Sequence, residues 1–262
     1  MSDNYLIIDA SYFIFYRVYA LTTWWRNSHD GEVLEEPFNN EEFINKYKST
    51  MKTKIQEIKK KLNIQDAQIM IGKDCPRNNI WRNEYIEKYK GNRKCDNIVG
   101  QFFKLTYEEN LFENSGVQKI LFHPNLEADD CIALATNIIL QNNNNAQIYI
   151  ITSDTDYLQL INENIHIYNM KLKKIDEKKS YKNPEKDLFC KIILGDKSDN
   201  IPGLFKKCGN KTAEKYYENK ELFKKKLEDK EIEDRFKLNE LLISFKNIPE
   251  KLQEQFYEQN FK

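Results

Sequence analysis

LEADDCIALATNIILQNNNNAQIYIITSDTDYLQL, residues 126–160, decides how the rest of the chain is read. It opens with Glu127, Asp129 and Asp130 where a helix-spaced apolar run begins, and it closes with Asp154 and Asp156 just after the apolar run at residues 148–151. The spacing predicts a helix with carboxylates in its first turn, then a polar Asn loop, then a buried strand. In open parallel α/β sheets, ligands sit outside the carboxyl ends of the strands. Both acidic groups can therefore face one crevice.

Each group also has an ordinary structural reading. Acids in a first helical turn complement the macrodipole, and Asp after a strand is common turn chemistry. Together they ask for more, because like charges packed into one crevice repel or take up protons unless a cation lies among them. An all-oxygen donor set with little imidazole or thiolate selects Mg²⁺ or Mn²⁺.

The chain has 262 residues, 40% of them hydrophobic, which suits one α/β domain or one with a small appendage. Lys+Arg and Asp+Glu balance at 41 each, so only the distribution of charge can indicate a polyanionic partner. Cys75, Cys95, Cys131, Cys190 and Cys208 are spread out with no CxxC pair, which argues for a reducing compartment and against structural zinc. His29, His123 and His166 show no ligand spacing. Asp9 and Arg17 interrupt the apolar residues near the start, so neither a signal peptide nor a membrane span is expected. The chain reads as intracellular and cytoplasmic, or nuclear or in a host-cell compartment if its source is eukaryotic or viral.

Working outward, residues 5–8 form a short apolar strand that ends at Asp9, and residues 67–71 form another that is followed by Asp74. These are further acids at strand ends. Ser11 is the expected N-cap of an aromatic helix carrying Tyr12, Phe13, Phe15, Tyr16 and Tyr19, with most rings in the core and one or two free to stack on a base. Residues 24–40 read as a polar surface insertion, and residues 42–62 as an amphipathic helix. Between residues 77 and 94, Arg77, Arg82, Lys88, Lys90, Arg93 and Lys94 interleave with Trp81, Tyr85 and Tyr89. That mixture suits a single-stranded nucleic acid, with cations on phosphates and rings on bases, or else a solvated amphipathic helix. Further helices are expected at 101–114 and 184–193 and strands at 118–122 and 164–170. Residues 195–203, GDKSDNIPG, place Asp196 and Asp199 in a tight turn, and Lys206, Lys207, Lys211 and Lys215 surround Gly209 just before Thr212 opens a helix. Backbone N–H groups at such a turn can meet phosphates. Residues 220–262 read as charged helices.

The ordered blocks IIDASYFIFYR, IGKD, YKGNRK, LEADD, ITSDTDYLQL, LGDKSDNIPG and KTA resemble the 5′-nuclease superfamily. This family comprises flap endonucleases, bacteriophage 5′→3′ exonucleases and the 5′-nuclease domain of DNA polymerase I. The resemblance implies a mostly parallel central sheet flanked by helices, with an α/β core over residues 1–194 that includes a helical arch at about 77–125. A helix–three-turn–helix and C-terminal helices would occupy residues 195–262. It implies a metal-dependent 5′→3′ exonuclease or flap endonuclease with two Mg²⁺, replaceable by Mn²⁺. Asp9, Asp74, Glu127 and Asp129 would hold one ion and Asp154, Asp156 and Asp196 the other, with Asp130 and Asp199 acting through water. Lys90 and Arg93 would contact the scissile phosphate and Phe15 the terminal base. Tyr89, Gly203, Gly209, Lys211 and Thr212 complete the expected DNA contacts.

The implied partner is DNA with a 5′ flap, nick or free 5′ end, or an RNA–DNA hybrid, bound by a monomer. The family also implies a potassium ion at the helix–three-turn–helix, where this chain carries the bulkier LFKKCGN at residues 204–210. The segment expected to form the arch is short, and no sliding-clamp-binding peptide or polymerase module is apparent. Two other readings stay open: a structure-specific DNA-binding protein without catalysis, and a related RNase H-type activity on hybrids.

Overall fold

The run Leu6-Ile7-Ile8 lacks polar alternation, as suits a strand covered on both faces. A computed structural model, describing residues 3–92 and 97–262 apart from the side chains at 178 and 179, places it at the centre of a parallel sheet. In chain order the first elements are β1 (Asn4–Asp9), α1 (Ala10–Ser28), α2 (Glu41–Leu62), β2 (Gln68–Gly72), α3 (Asn97–Glu108) and β3 (Lys119–Leu121). Then come α4 (Ala128–Asn142), β4 (Gln147–Ile151), β5 (Ile165–Tyr168), α5 (Asp176–Lys179) and α6 (Pro184–Leu194). The chain finishes with α7 (Asn210–Glu218), α8 (Lys220–Leu227), α9 (Lys230–Ile243) and α10 (Glu250–Phe261).

The five strands run in the order β3-β2-β1-β4-β5, every pair parallel. The winding reverses between β1 and β4, and the crevice at such a reversal is where α/β sheets bind ligands. Side chains alternate across the sheet: Leu6 and Ile8 join the core built with Phe13, Phe43 and Phe102, while Ile7 joins Ile132 and Ala135 of α4 on the other face. The expected α/β architecture is therefore present.

Local chemistry differs from expectation in three places. Asp9, rather than Ser11, caps α1: its Oδ1 accepts from Tyr12 N at 3.0 Å, because the strand passes directly into the helix. Residues 24–28 are not part of an irregular insertion but the last turn of α1, since Trp25 follows Leu21 by one turn and is buried with it. The loop shrinks to residues 29–36 before a single 3₁₀ turn at Pro37–Asn39. Residues 77–92 form short 3₁₀ turns at Arg77–Asn79 and Trp81–Glu84 rather than an amphipathic helix, because Trp81, Arg82 and Tyr89 turn into the protein.

The C-terminal helices pack back on the sheet. Asn239 on α9 donates to the carbonyls of Ile192 and Pro202, at 3.0 and 2.8 Å. Asn260 on α10 donates to Phe122 O at 3.1 Å. Phe189 and Phe236 join Phe223, Ala213 and Leu204 in a separate apolar cluster that ties α6 to α7, α8 and α9.

Candidate metal centre

Three strand ends and one helix start supply the carboxylates that converge. Asp9 ends β1, Asp74 follows β2, Asp154 follows β4, and Asp129 lies in the first turn of α4. With Ser11, Tyr12, Phe15, Lys90 and Thr152 they line a cavity of about 260 Å³. A Cβ on Gly72 would lie 2.5 Å from Ile132, so glycine there lets α4 settle onto the end of β2. Ala128 N at the start of α4 then reaches Asp74 Oδ1 at 2.9 Å, and Ser11 donates to the other Asp74 oxygen. Thr152 Oγ1 donates to Asp9 Oδ2 at 3.3 Å and accepts from Asp154 N at 3.2 Å.

This set carries more negative charge than its surroundings offset. Burial, reinforced by Asp74 and Asp154, raises the Asp9 carboxyl from its ordinary 3.8 to about 7. Burial, then Asp130 and Glu127, pushes Asp129 well above the usual carboxylate range. Asp154 is exposed on one side and lines the cavity on the other, where loss of surrounding water raises it against the pull of Lys191. Oxygen donors that hold protons this tightly for want of a counter-charge fit a hard divalent cation.

Asp130 behaves differently from expectation. It is fully buried, and both its oxygens are taken by Arg82 at 2.7 Å, with Trp81 Nε1 and Glu127 N adding bonds at 3.0 and 3.2 Å. Its oxygens come within 4.8 Å of those of Glu127 and Asp129, but they point into this ion pair. Asp130 thus anchors the N-terminus of α4. Glu127 is held by Arg82 at 3.0 Å, by the Tyr89 hydroxyl at 2.9 Å and by Lys90. Tyr89, expected among the DNA contacts, is buried and donates to both Glu127 and Asp199, so its ring cannot meet a base. Trp81 and Arg82, read as part of a nucleic-acid-binding stretch, are likewise interior.

The second acidic set is Asp156, Asp196 and Asp199, whose oxygens gather within 4.8 Å of one another. Asp154, expected with Asp156 and Asp196, stands between the two sets: it lines the cavity with Asp9 and accepts the Asp156 N–H at 2.9 Å, while Lys191, Asp199 and Asp196 of the second set also act on its charge. At Gly195, φ is +70° and a Cβ would lie 2.5 Å from Ile201 O, so only glycine allows the exchange of backbone bonds between Asp196 and Ile201 that closes this turn. Lys191 of α6 pairs with Asp156 and, at 2.9 Å, with Asp196. Burial would raise Asp196, but Lys191 and the bonds from Ser198 hold it down at about 2. Lys191 carries no signal in the sequence, because a lysine in the last turn of a helix already has a reason to be there.

Lys90 joins the two sets: its Nζ pairs with Glu127 and lies 3.7 Å from Asp199, while its N–H donates to Asp199 O. Arg93 lies outside the described residues. Phe15 reaches the cavity edge, 38% exposed. Gly209 caps α7, and Lys206, Lys207, Lys211, Thr212 and Lys215 are exposed around it. Gly203 packs against the Leu194 carbonyl. A cleft of about 650 Å³ lies beside the carboxylates, with Lys191 and Asp196 in its wall.

Residues 4–185 match the family model described as 5′-3′ exonuclease, N-terminal resolvase-like domain. A 5′-3′ exonuclease of Mycoplasmopsis pulmonis is 30% identical over 213 residues, covering 78% of this chain and 62% of that protein. One from Bacillus subtilis is 29% identical over 160 residues, covering 57% and 51%. The chain thus spans roughly half to three-fifths of the length of these relatives. Among solved structures, the bacteriophage T5 5′-exonuclease with zinc bound superposes with a TM-score of 0.65 over 98% of this chain and 97% of that one, at 18% identity. A bacteriophage T5 flap endonuclease variant complexed with DNA and metal ions superposes equally well, and both share the fold. With its sheet, its strand-end carboxylates and a family match over most of its length, this chain belongs to the 5′-3′ exonuclease family with the N-terminal resolvase-like domain.

Proposed function

We propose that the protein hydrolyses DNA phosphodiesters close to a 5′ end, as an exonuclease, a flap endonuclease or both, with divalent cations bound by its carboxylates. The observation that carries this is the convergence of Asp9, Asp74, Asp129 and Asp154 on one cavity, with Asp9 raised to about 7. These four would hold one ion, with Glu127 behind them, and Asp156, Asp196 and Asp199 would hold a second. Mg²⁺ or Mn²⁺ bound there supplies a water of lowered pKa and positive charge at the phosphate. Lys90, positioned by Glu127 and Asp199, brings its ammonium to the same cavity, where negative charge develops during displacement.

The exposed turn around Gly209, with Lys211 and Thr212, offers backbone N–H groups and cations to a duplex backbone. Gly203, packed against the Leu194 carbonyl, precedes that turn, where a potassium ion would sit. The metal and DNA complexes of the T5 proteins support this reading, as do the names of the bacterial relatives. The partner is DNA with a flap, a nick or a free 5′ end, handled by a monomer inside the cell. No helix among the described residues is long and apolar enough to cross a membrane.

The test is Asp154→Asn assayed on a labelled 5′-flap duplex with Mg²⁺ and with EDTA. Cleavage should fall by about a thousandfold or more while DNA binding stays measurable. Undiminished cleavage would remove the carboxylate site from the mechanism. Product lengths from the wild-type digest separate exonuclease from flap endonuclease.

A further inference from the structure

Six large apolar side chains among the described residues are clearly exposed, and two of them, Phe15 and Tyr19, lie one turn apart on α1, against which α3 packs. Exposed apolar residues scattered singly need no explanation, but a gathered set beside a cavity does. Phe15 and Tyr19 are 38% and 53% exposed, and their rings stack with centroids 6.4 Å apart and planes within 12°. Phe103 of α3 meets Phe15 edge-on at 5.5 Å and packs into the core below, which fixes the tilt of the pair. The rings are one helical turn apart, about 6 Å along the axis. Because α1 starts at the end of β1, Ser11, Tyr12, Phe15 and Tyr19 lead in that order away from the carboxylates.

We infer that Phe15 and Tyr19 form a stacking track for the unpaired bases of a single-stranded 5′ segment, with Tyr19 taking the nucleotide one step beyond the base at Phe15. The inference rests on the nuclease reading above. Parallel flat rings fit bases irrespective of sequence, since every base has a π-face. Continuity with the cavity through Phe15 gives the track its direction, from the cleavage site toward the free end. Tyr19 is thereby a specificity element for flap length rather than a catalytic residue.

The experiment measures binding of full-length protein, in EDTA, to duplexes with 5′ flaps of one, two and four nucleotides. Matched flaps carry an abasic sugar at the second position. Tyr19→Ala should weaken binding of the longer flaps by about 5- to 150-fold relative to the one-nucleotide flap, the range that base–ring stacking spans. Tyr19→Phe should lose less than about twofold, since the ring remains. In wild-type protein the abasic flap should show the same deficit, with no further loss on combining it with Tyr19→Ala. Equal loss on all flap lengths, or no loss at all, overturns the track while leaving the nuclease reading intact. Wild-type protein that binds none of the duplexes, either in EDTA or with a divalent cation present, takes both down.

Discussion

Two neighbouring carboxylate sets, joined through Asp154 and Asp156 two residues apart, have opposite electrostatics at their far ends, Asp9 and Asp196. Around Asp154, strand ends bring Asp9, Asp74 and Asp129 together, and the proton affinities of Asp9, Asp129 and Asp154 all rise. Around Asp156, Lys191 is built into the cluster and Asp196 falls to about 2. The first set lacks an adequate internal cation and so depends on one from solution. The second already holds one, and there a divalent ion must compete with, or share with, a lysine. Behind the first set stands Arg82, tied to Asp130, Glu127 and the Leu242 carbonyl, which pulls the Asp129 proton affinity down without cancelling its rise.

The largest effect should come from removing that backing. Arg82→Ala strands Asp130 and Glu127 in the interior and should cost about 3–5 kcal/mol in denaturant unfolding. Adding Asp130→Asn should recover part of the loss, because the two side chains share one interaction. A cost below about 1 kcal/mol would show that the ion pair does not support the first set.

Asp9→Asn sharpens the contrast next. The folded state holds the Asp9 proton more tightly than the unfolded chain does, so ionising Asp9 destabilises the metal-free protein progressively from about pH 4 to about pH 7. The asparagine variant, which can still cap α1, should therefore be more stable than wild type by about 2–4 kcal/mol at pH 8 in EDTA and about equal to it near pH 4. Mg²⁺ should stabilise wild type and do little for the variant. A stability difference independent of pH would contradict the charge-excess account.

The smallest effect should be that of Lys191→Met. Asp196, depressed to about 2, contributes stability above its ordinary value that is lost as pH falls through about 2. Losing Lys191 should cost about 1–2 kcal/mol at pH 7 and nothing near pH 2. It should also make the protein gain more stability from Mg²⁺, since the second set then resembles the first. Identical Mg²⁺ responses in variant and wild type would break the comparison.

The sequence made the strands and the acids at their ends legible because both rest on local rules. An unbroken apolar run marks a strand covered on both faces, and an acid just after it faces the crevice of a parallel sheet. Residues 77–92 resisted such reading because 3₁₀ turns impose no period, so nothing local showed that Trp81, Arg82 and Tyr89 point inward. The same limit hid the turn of Asp130 away from the cavity, since its partner Arg82 lies 48 residues earlier.

By itself the sequence determined the α/β class, the family resemblance and a set of acids suited to a divalent ion. Only the tertiary structure decided which acids share a cavity, which are neutralised from within and which hold a helix in place. The physical reason is range: backbone periodicity acts over a few residues, whereas a carboxylate's charge state depends on every cation and dipole that folding brings within a few ångströms.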